Sequence, residues 1–360
     1  MKKSGLTALS LFSGAGGLDL GIEAAGFSVI FAIESDGVAV ATLNRNRRRF
    51  LPALPETRPL DITSLEPSDV MQEAGVGPGE LDLLVGGPPC VAFSKSGFHL
   101  EYKRLGLDPR AGLLGHYCRF LAGLRPKTFI MENVFGLAYR NQSAAFFGAL
   151  RDSVVELGYS FEYGVLNAAD YGVPQNRQRL FIVGESDGKK LSLPKATHWG
   201  EHERRRRPPN AESLRPHVTA GEALDGLATL PEPEEVVNGK YGHLLPEIPP
   251  GGNYLHFTAH EGCEEPIFAW RSRYWTFLLK LDPGRPSPTI QGQPGPYVGP
   301  FHWENRRLRV PELRRLHGFP AEYAFVGTRR QVQLQIGNAV PPLLGEVVAG
   351  SVRDQALTAS

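Results

Sequence analysis

The amino-terminal end of the chain does most to narrow the fold. Thr7 to Phe12 is a short apolar run of strand type that passes straight into Ser13-Gly14-Ala15-Gly16-Gly17. A helical pattern from Leu18 to Ala25 stops at Gly26, and a second apolar strand, Ser28 to Ile33, ends on Glu34. A strand, a glycine turn, a helix and a strand closed by an acid make the opening of a doubly wound α/β unit of Rossmann type. In such a unit the turn seats a ligand on a helix N-terminus, and the acid, here twenty residues after Gly14, reaches ribose hydroxyls. The glycines do not complete G-x-G-x-x-G, because the last position is Asp19, and no G-K-S/T follows. A triphosphate is therefore disfavoured, and an adenosine cofactor lacking phosphates suits the turn better than a dinucleotide. A plain structural turn is the competing reading.

A second strand, Leu81 to Val85, runs into Gly86-Gly87-Pro88-Pro89-Cys90. The prolines stiffen the turn, and a cysteine at the carboxyl end of a strand stands where open α/β sheets place their chemistry. These residues alone leave Cys90 balanced between a nucleophile and a buried structural thiol. The strand Lys127 to Met131 ends in Glu132-Asn133-Val134. If it runs parallel to the Cys90 strand, both side chains reach one crevice. A thiolate beside a carboxylic acid suits addition to an electron-poor ring whose nitrogen must be hydrogen-bonded or protonated. Standing alone, Glu132 would read as half of a surface ion pair. Arg177 and Arg179, two apart on an extended segment, are expected to face one side and suit a carbonyl or a phosphate. Solvated surface charge is the alternative. Pro59-Leu60-Asp61-Ile62 reads as a further strand end carrying an acid. Helices are expected over Leu113 to Leu124 and Ala144 to Leu157, and a strand pair over Phe161 to Leu166 and Arg179 to Val183.

After Gly184 the texture becomes rich in proline, glycine and charge, which predicts a loop-rich module of short strands. It carries the run Arg204-Arg205-Arg206-Arg207. The stretch Trp270 to Trp275, with Gly295 to Trp303, is either a groove-reading surface or strand core. Order returns at Arg309 to Phe319 and continues through Gln335-Ile336-Gly337-Asn338-Ala339-Val340 into a last helix. The net charge of +1 means that any nucleic-acid surface is a local patch. Three cysteines (Cys90, Cys118, Cys263) without C-x-x-C spacing predict a reduced, cytoplasmic chain with no metal site, Cys118 being core. No signal peptide or membrane-length apolar run is expected.

Taken in order, these segments resemble the motifs of the bacterial DNA (cytosine-5)-methyltransferase family. Phe12 to Gly17 resembles its first motif, Gly87-Pro88-Pro89-Cys90 the nucleophile motif, Glu132-Asn133-Val134 the E-N-V motif, and Gln175 to Arg179 the Q-x-R-x-R motif. Arg309 to Pro320 resembles the segment bracing the recognition domain, and Gln335 to Asn338 the closing motif. The resemblance implies an α/β Rossmann-like methyltransferase fold. Its discontinuous catalytic domain would span 1–188 and 310–360, with a target-recognition domain at 189–309. It implies S-adenosyl-L-methionine, held by Phe12, Gly14, Ala15, Gly16, Gly17, Glu34, Ser35, Asp61, Ile62, Pro89, Leu113, Asn338 and Ala339. It assigns catalysis to Cys90, Glu132, Arg177 and Arg179, and contacts to double-stranded DNA to Ser94, Lys95 and Arg204 to Arg207.

The implied enzyme is a monomer of the bacterial cytoplasm, associated with the nucleoid and with no membrane contact. A separate restriction endonuclease is an optional partner. Two positions depart from the family: Val91 stands where glutamine is usual, and Ser35 where an aromatic residue often stacks on adenine, so that stacking either comes from elsewhere, with Phe12 a candidate, or is weaker. Three rivals are weaker. An RNA-directed relative would carry Cys-Phe-Thr, a dinucleotide oxidoreductase rests on the Gly14 turn alone, and a non-catalytic relative would not need Cys90, Glu132 and Arg179 together.

Overall fold

A computed structural model describes residues 5–89, 112–139, 144–200, 210–271 and 274–357. Its frame is a six-stranded sheet built from β1 (Leu6–Leu11), β2 (Phe27–Ile33), β3 (Leu83–Gly86), β4 (Thr128–Val134), β5 (Glu162–Asn167) and β6 (Gln178–Glu185). The spatial order is β2-β1-β3-β4-β6-β5. The first four strands are parallel, and β6 runs antiparallel between β4 and β5. The expected parallel pairing of the Cys90 and Glu132 strands is present, as is the expected pair at β5 and β6.

Alternation along each strand sends side chains to two cores. Ala8, Leu83, Val85, Ile130 and Phe181 face α1 (Gly17–Ala24) and the carboxyl-terminal helix Pro342–Ala356. Leu9, Leu84, Phe129, Met131 and Ile182 face α3 (Pro67–Ala74), α4 (Leu113–Leu124) and α5 (Ala144–Glu156). In β2 the register slips opposite Ala8 and Leu9, so that Val29 and Phe31 pair while Ile30 is the extra residue of a bulge. α2 (Gly37–Phe50) starts on Asp36, whose carboxylate accepts from the Val38 and Ala39 N–H groups. Among the described residues no helix is long and apolar enough to cross a membrane.

Two expectations need correction. Residues 59–62 are not a strand end: Pro59 has no N–H for a ladder, Leu60 N–H makes a single bond to Glu34 O, and Asp61 caps the turn Ile62–Ser64. The stretch 189–309 holds fewer strands than expected. Its described residues contain only the two-residue pair His198–Trp199 and Arg215–Pro216, isolated bridges and short helical turns. Prolines such as Pro246, Pro249 and Pro283 deny the backbone the donors that a ladder requires. Part of this stretch has its own core, in which Leu245, Ile248, Phe257, Leu278 and Phe301 are buried. A further cluster packs Leu281 and Ile290 against α6 (Val310–His317) and α7 (Arg329–Asn338), and the carboxyl-terminal helix is α8.

Candidate active site

The carboxyl ends of β1 to β4 open into one cavity of about 700 Å³. Phe12, Gly14, Ala15 and Gly17 line it from the first turn, and Glu34 and Ser35 from the end of β2. Asp61 and Ile62 form a third side, Pro89 and Leu113 a fourth, and Asn338 and Ala339 close it from α7. Of the residues expected at a cofactor, only Gly16 turns away, toward Leu43 and the Tyr323 hydroxyl. Gln335, the first residue of the expected closing motif, also lines the cavity, and sequence reading missed Gln293 and Asp36.

Local chemistry explains the shape of this end. Gly14 has φ +54° with open space where a Cβ would stand, so backbone can approach a ligand closely there. Glu34 accepts from Gly14 N–H at 2.7 Å and from Asp36 N–H at 2.8 Å, which aims the carboxylate into the cavity with lone pairs to spare for hydroxyls. Phe12 lines the cavity at φ +56°, a strained backbone conformation for a residue with a side chain. The carbonyl of Ala15 is held from behind by the Tyr323 hydroxyl at 2.7 Å. These residues fit an adenosine ligand without phosphates: an acid for ribose, an aromatic ring for a base and, among the described residues, no cationic side chain lining the turn.

Beneath the turn, Asp19 is fully buried, accepts from the Ser10 hydroxyl, and leaves Oδ2 without a hydrogen-bond partner among the described residues. Burial pushes its carboxyl up from 3.8 to about 7, against the lowering effect of Ser10. The folded chain thus binds more protons between those values, and stability falls as pH rises through that window, by about 4 kcal/mol in all. Asp19→Asn should abolish this slope: melting temperatures of the two proteins converge near pH 4, and the variant melts higher at pH 8. An equal loss at both pH values would contradict it.

The cavity continues to a wall that Glu132 and Arg179 line. Glu132 is 9% exposed at the end of β4, and its Oε1 lies 2.9 Å from Arg179 Nε. Burial pushes the Glu132 carboxyl up, while Arg179 and Arg177 pull it back. Asn133 donates to Pro88 O at 3.1 Å, tying the Gly-Pro-Pro turn to the Glu132 strand. Cys90, Ser94, Lys95, Val91 and Arg204 to Arg207 lie outside the described residues. Cys118 offers no alternative thiolate, since burial in α4 pushes its thiol up to about 12.

Arg177 does not share the crevice with Arg179. It is fully buried and donates to Ile290 O and Gly337 O, because β6 begins only at Gln178, so that Arg179 keeps the strand's alternation and Arg177 does not. Trp270, Tyr274 and Trp275 are 54%, 46% and 49% exposed, whereas Phe301 is core.

Comparison with known proteins agrees with this geometry. The model of the family described as C-5 cytosine-specific DNA methylase matches residues 6–354. Type II methyltransferase M.SacI of Streptomyces achromogenes is 45% identical, over 97% of this chain and 93% of the relative. Type II methyltransferase M1.HphI of Haemophilus parahaemolyticus is 31% identical, over 96% and 86%. The solved structure of S. pombe Dnmt2 methyltransferase shares the fold, with a TM-score of 0.63 over 98% of this chain and 100% of the other at 17% identity. The chain belongs to the C-5 cytosine-specific DNA methylase family, whose methyl donor is S-adenosyl-L-methionine.

Proposed function

We infer that this enzyme methylates C5 of cytosine within one defined sequence of double-stranded DNA, as the modification arm of a restriction–modification system. Its relatives named as Type II methyltransferases support that setting. On this reading a separate endonuclease cuts the same sequence, and the enzyme acts as a monomer in the nucleoid of a bacterial cytoplasm. The observation that carries the chemistry is the buried Glu132–Arg179 pair, set in the same cavity as the Glu34 end.

Cytosine inside a duplex is out of reach, so the base is flipped into the cavity at a cost of a few kcal/mol. The Cys90 thiolate adds to C6, and the ring's electron pair moves toward C5. Glu132 donates a hydrogen bond to N3 and accepts one from the exocyclic amine, which stabilises the adduct. Arg179 turns its guanidinium to O2. S-adenosyl-L-methionine supplies the electrophilic methyl group that C5 takes. A base then removes the C5 proton, the electron pair returns to the ring, and the C6–sulfur bond breaks to release Cys90.

Residues 1–188 and 310–360 form the catalytic domain in this scheme, and 189–309 the recognition domain. Ser94 donates a hydrogen bond to a phosphate, and Lys95 and Arg204 to Arg207 neutralise phosphates. The exposed Trp270, Tyr274 and Trp275 are suited to meeting the duplex. Bisulfite sequencing of plasmid from cells expressing the protein tests the reading: protected cytosines at one short motif support it, and full conversion everywhere sinks it.

Glu34→Ala should weaken S-adenosyl-L-methionine binding by about tenfold or more, because charge-assisted hydrogen bonds to both ligand and turn are lost together. Titration calorimetry without DNA reads this. An unchanged Kd would remove Glu34 from the cofactor site.

A further inference from the structure

Three buried polar side chains join parts of the molecule that are far apart in sequence. His317, the last residue of α6, is fully buried, with Nε2 3.0 Å from Ala339 O and Nδ1 3.1 Å from Gln175 Nε2. Gln175 Oε1 accepts from Ile290 N–H at 3.2 Å. Arg177 donates to Ile290 O at 3.2 Å and to Gly337 O at 2.6 Å. The packing at this junction is close: a Cβ on Gly337 would stand 2.2 Å from Gly292 N.

The polarity of the chain of bonds is forced. Ala339 O can only accept, so His317 carries its proton on Nε2 and presents Nδ1 as an acceptor. Gln175 must then turn its NH₂ to His317 and its oxygen to Ile290 N–H. Burial, with Arg177 and Arg179 nearby, pushes the His317 pKa well down and keeps the ring neutral, as this arrangement requires. Arg177 Nε–H has no hydrogen-bond partner among the described residues, so its two carbonyl contacts are what hold the side chain. The segments so joined all reach the cavity: Asn338 and Ala339 on the methyl-donor side, Gln293 beside them, and Arg179 two residues beyond Arg177.

We propose that Gln175, Arg177 and His317 form a positioning hub that sets the methyl-donor wall against the base-binding wall. They are positioning residues: none lines the cavity, yet their bonds fix Asn338, Ala339, Gln293 and Arg179 relative to one another. The proposal rests on the cavity being the S-adenosyl-L-methionine and cytosine site.

The test compares His317→Leu, His317→Gln and Gln175→Glu with the wild-type full chain. It measures S-adenosyl-L-methionine Kd by calorimetry, kcat and KM on duplex DNA, and melting temperature. His317→Leu should raise the cofactor Kd about tenfold, the effect of a lost buried hydrogen bond, and lower kcat while leaving KM for DNA nearly unchanged. His317→Gln, which keeps a donor for Ala339 O and an acceptor for Gln175, should restore both. If His317→Leu does not fold, Gln175→Glu carries the same comparison, since a carboxylate facing Nδ1 opposes two acceptors. A lower melting temperature with wild-type Kd and kcat overturns the hub. Failure of the wild-type chain to bind the cofactor would instead count against the reading of the cavity, and the hub falls with it.

Discussion

Cys90→Ala is expected to lose methyl transfer by on the order of 10⁴-fold or more, while S-adenosyl-L-methionine still binds with wild-type affinity. The size of the effect follows from the chemistry. C5 of cytosine is a poor nucleophile until C6 carries a sulfur substituent, and among the described residues the cavity lining offers no thiol to supply one. Cys118 cannot, because its thiol is held up near 12 by burial in α4. Phe12, Gly14, Glu34 and Asn338, the residues proposed to hold most of the cofactor, line the cavity and are remote in sequence from Cys90, with Pro89 its one neighbour among the expected cofactor residues. Filter-binding of labelled methyl groups on DNA, paired with calorimetry, reads both quantities. Retained turnover would strip Cys90 of its role, and a parallel loss of cofactor binding would mean that the substitution had disturbed the turn.

Glu132→Gln should reduce kcat by about 10²- to 10⁴-fold, the usual contribution of a general acid in place. The amide still offers an N–H to N3 but cannot deliver a proton or match the carboxyl's polarity. The pH profile separates the two functions. Burial raises the Glu132 carboxyl above its ordinary value while Arg179 and Arg177 oppose the shift. A raised carboxyl pKa means that the protonated, donating form persists to higher pH. The wild-type rate should therefore fall as pH rises through that pKa, and the Glu132→Gln rate should lack that limb. An identical limb in both proteins would assign the titration to another group.

The sequence made Glu132 legible because its signal is local. An apolar run ends on an acid, and the strand before Gly86 runs beside it, as the register of β3 and β4 bears out. The same holds for Glu34, where strand, turn and acid fall within one α/β unit. Asp61 misled for an equally local reason: Pro59 and the Asp61–Thr63 side-chain bond favour a capped turn over a strand end. Arg177 was placed with Arg179 by spacing, but its partners Ile290 and Gly337 are 113 and 160 residues away, beyond any periodic pattern. Tyr323 and His317 were missed on the same ground. Each acts through a backbone carbonyl of a distant segment, Ala15 or Ala339, and a carbonyl leaves no mark in a sequence. Gln293 belongs to the proline-rich stretch, whose turns and isolated bridges carry little hydrophobic period to read.

The most direct test of the central claim uses a duplex that carries 5-fluorocytosine at the methylated position found by bisulfite sequencing. Fluorine leaves no proton to lose at C5, so the adduct cannot collapse once C5 has taken the methyl group. Incubation with S-adenosyl-L-methionine, digestion and mass spectrometry should yield one cross-linked peptide, with methylated base bonded to Cys90. An absence of adduct with an active enzyme, or an adduct at Cys118 or Cys263, would contradict the account.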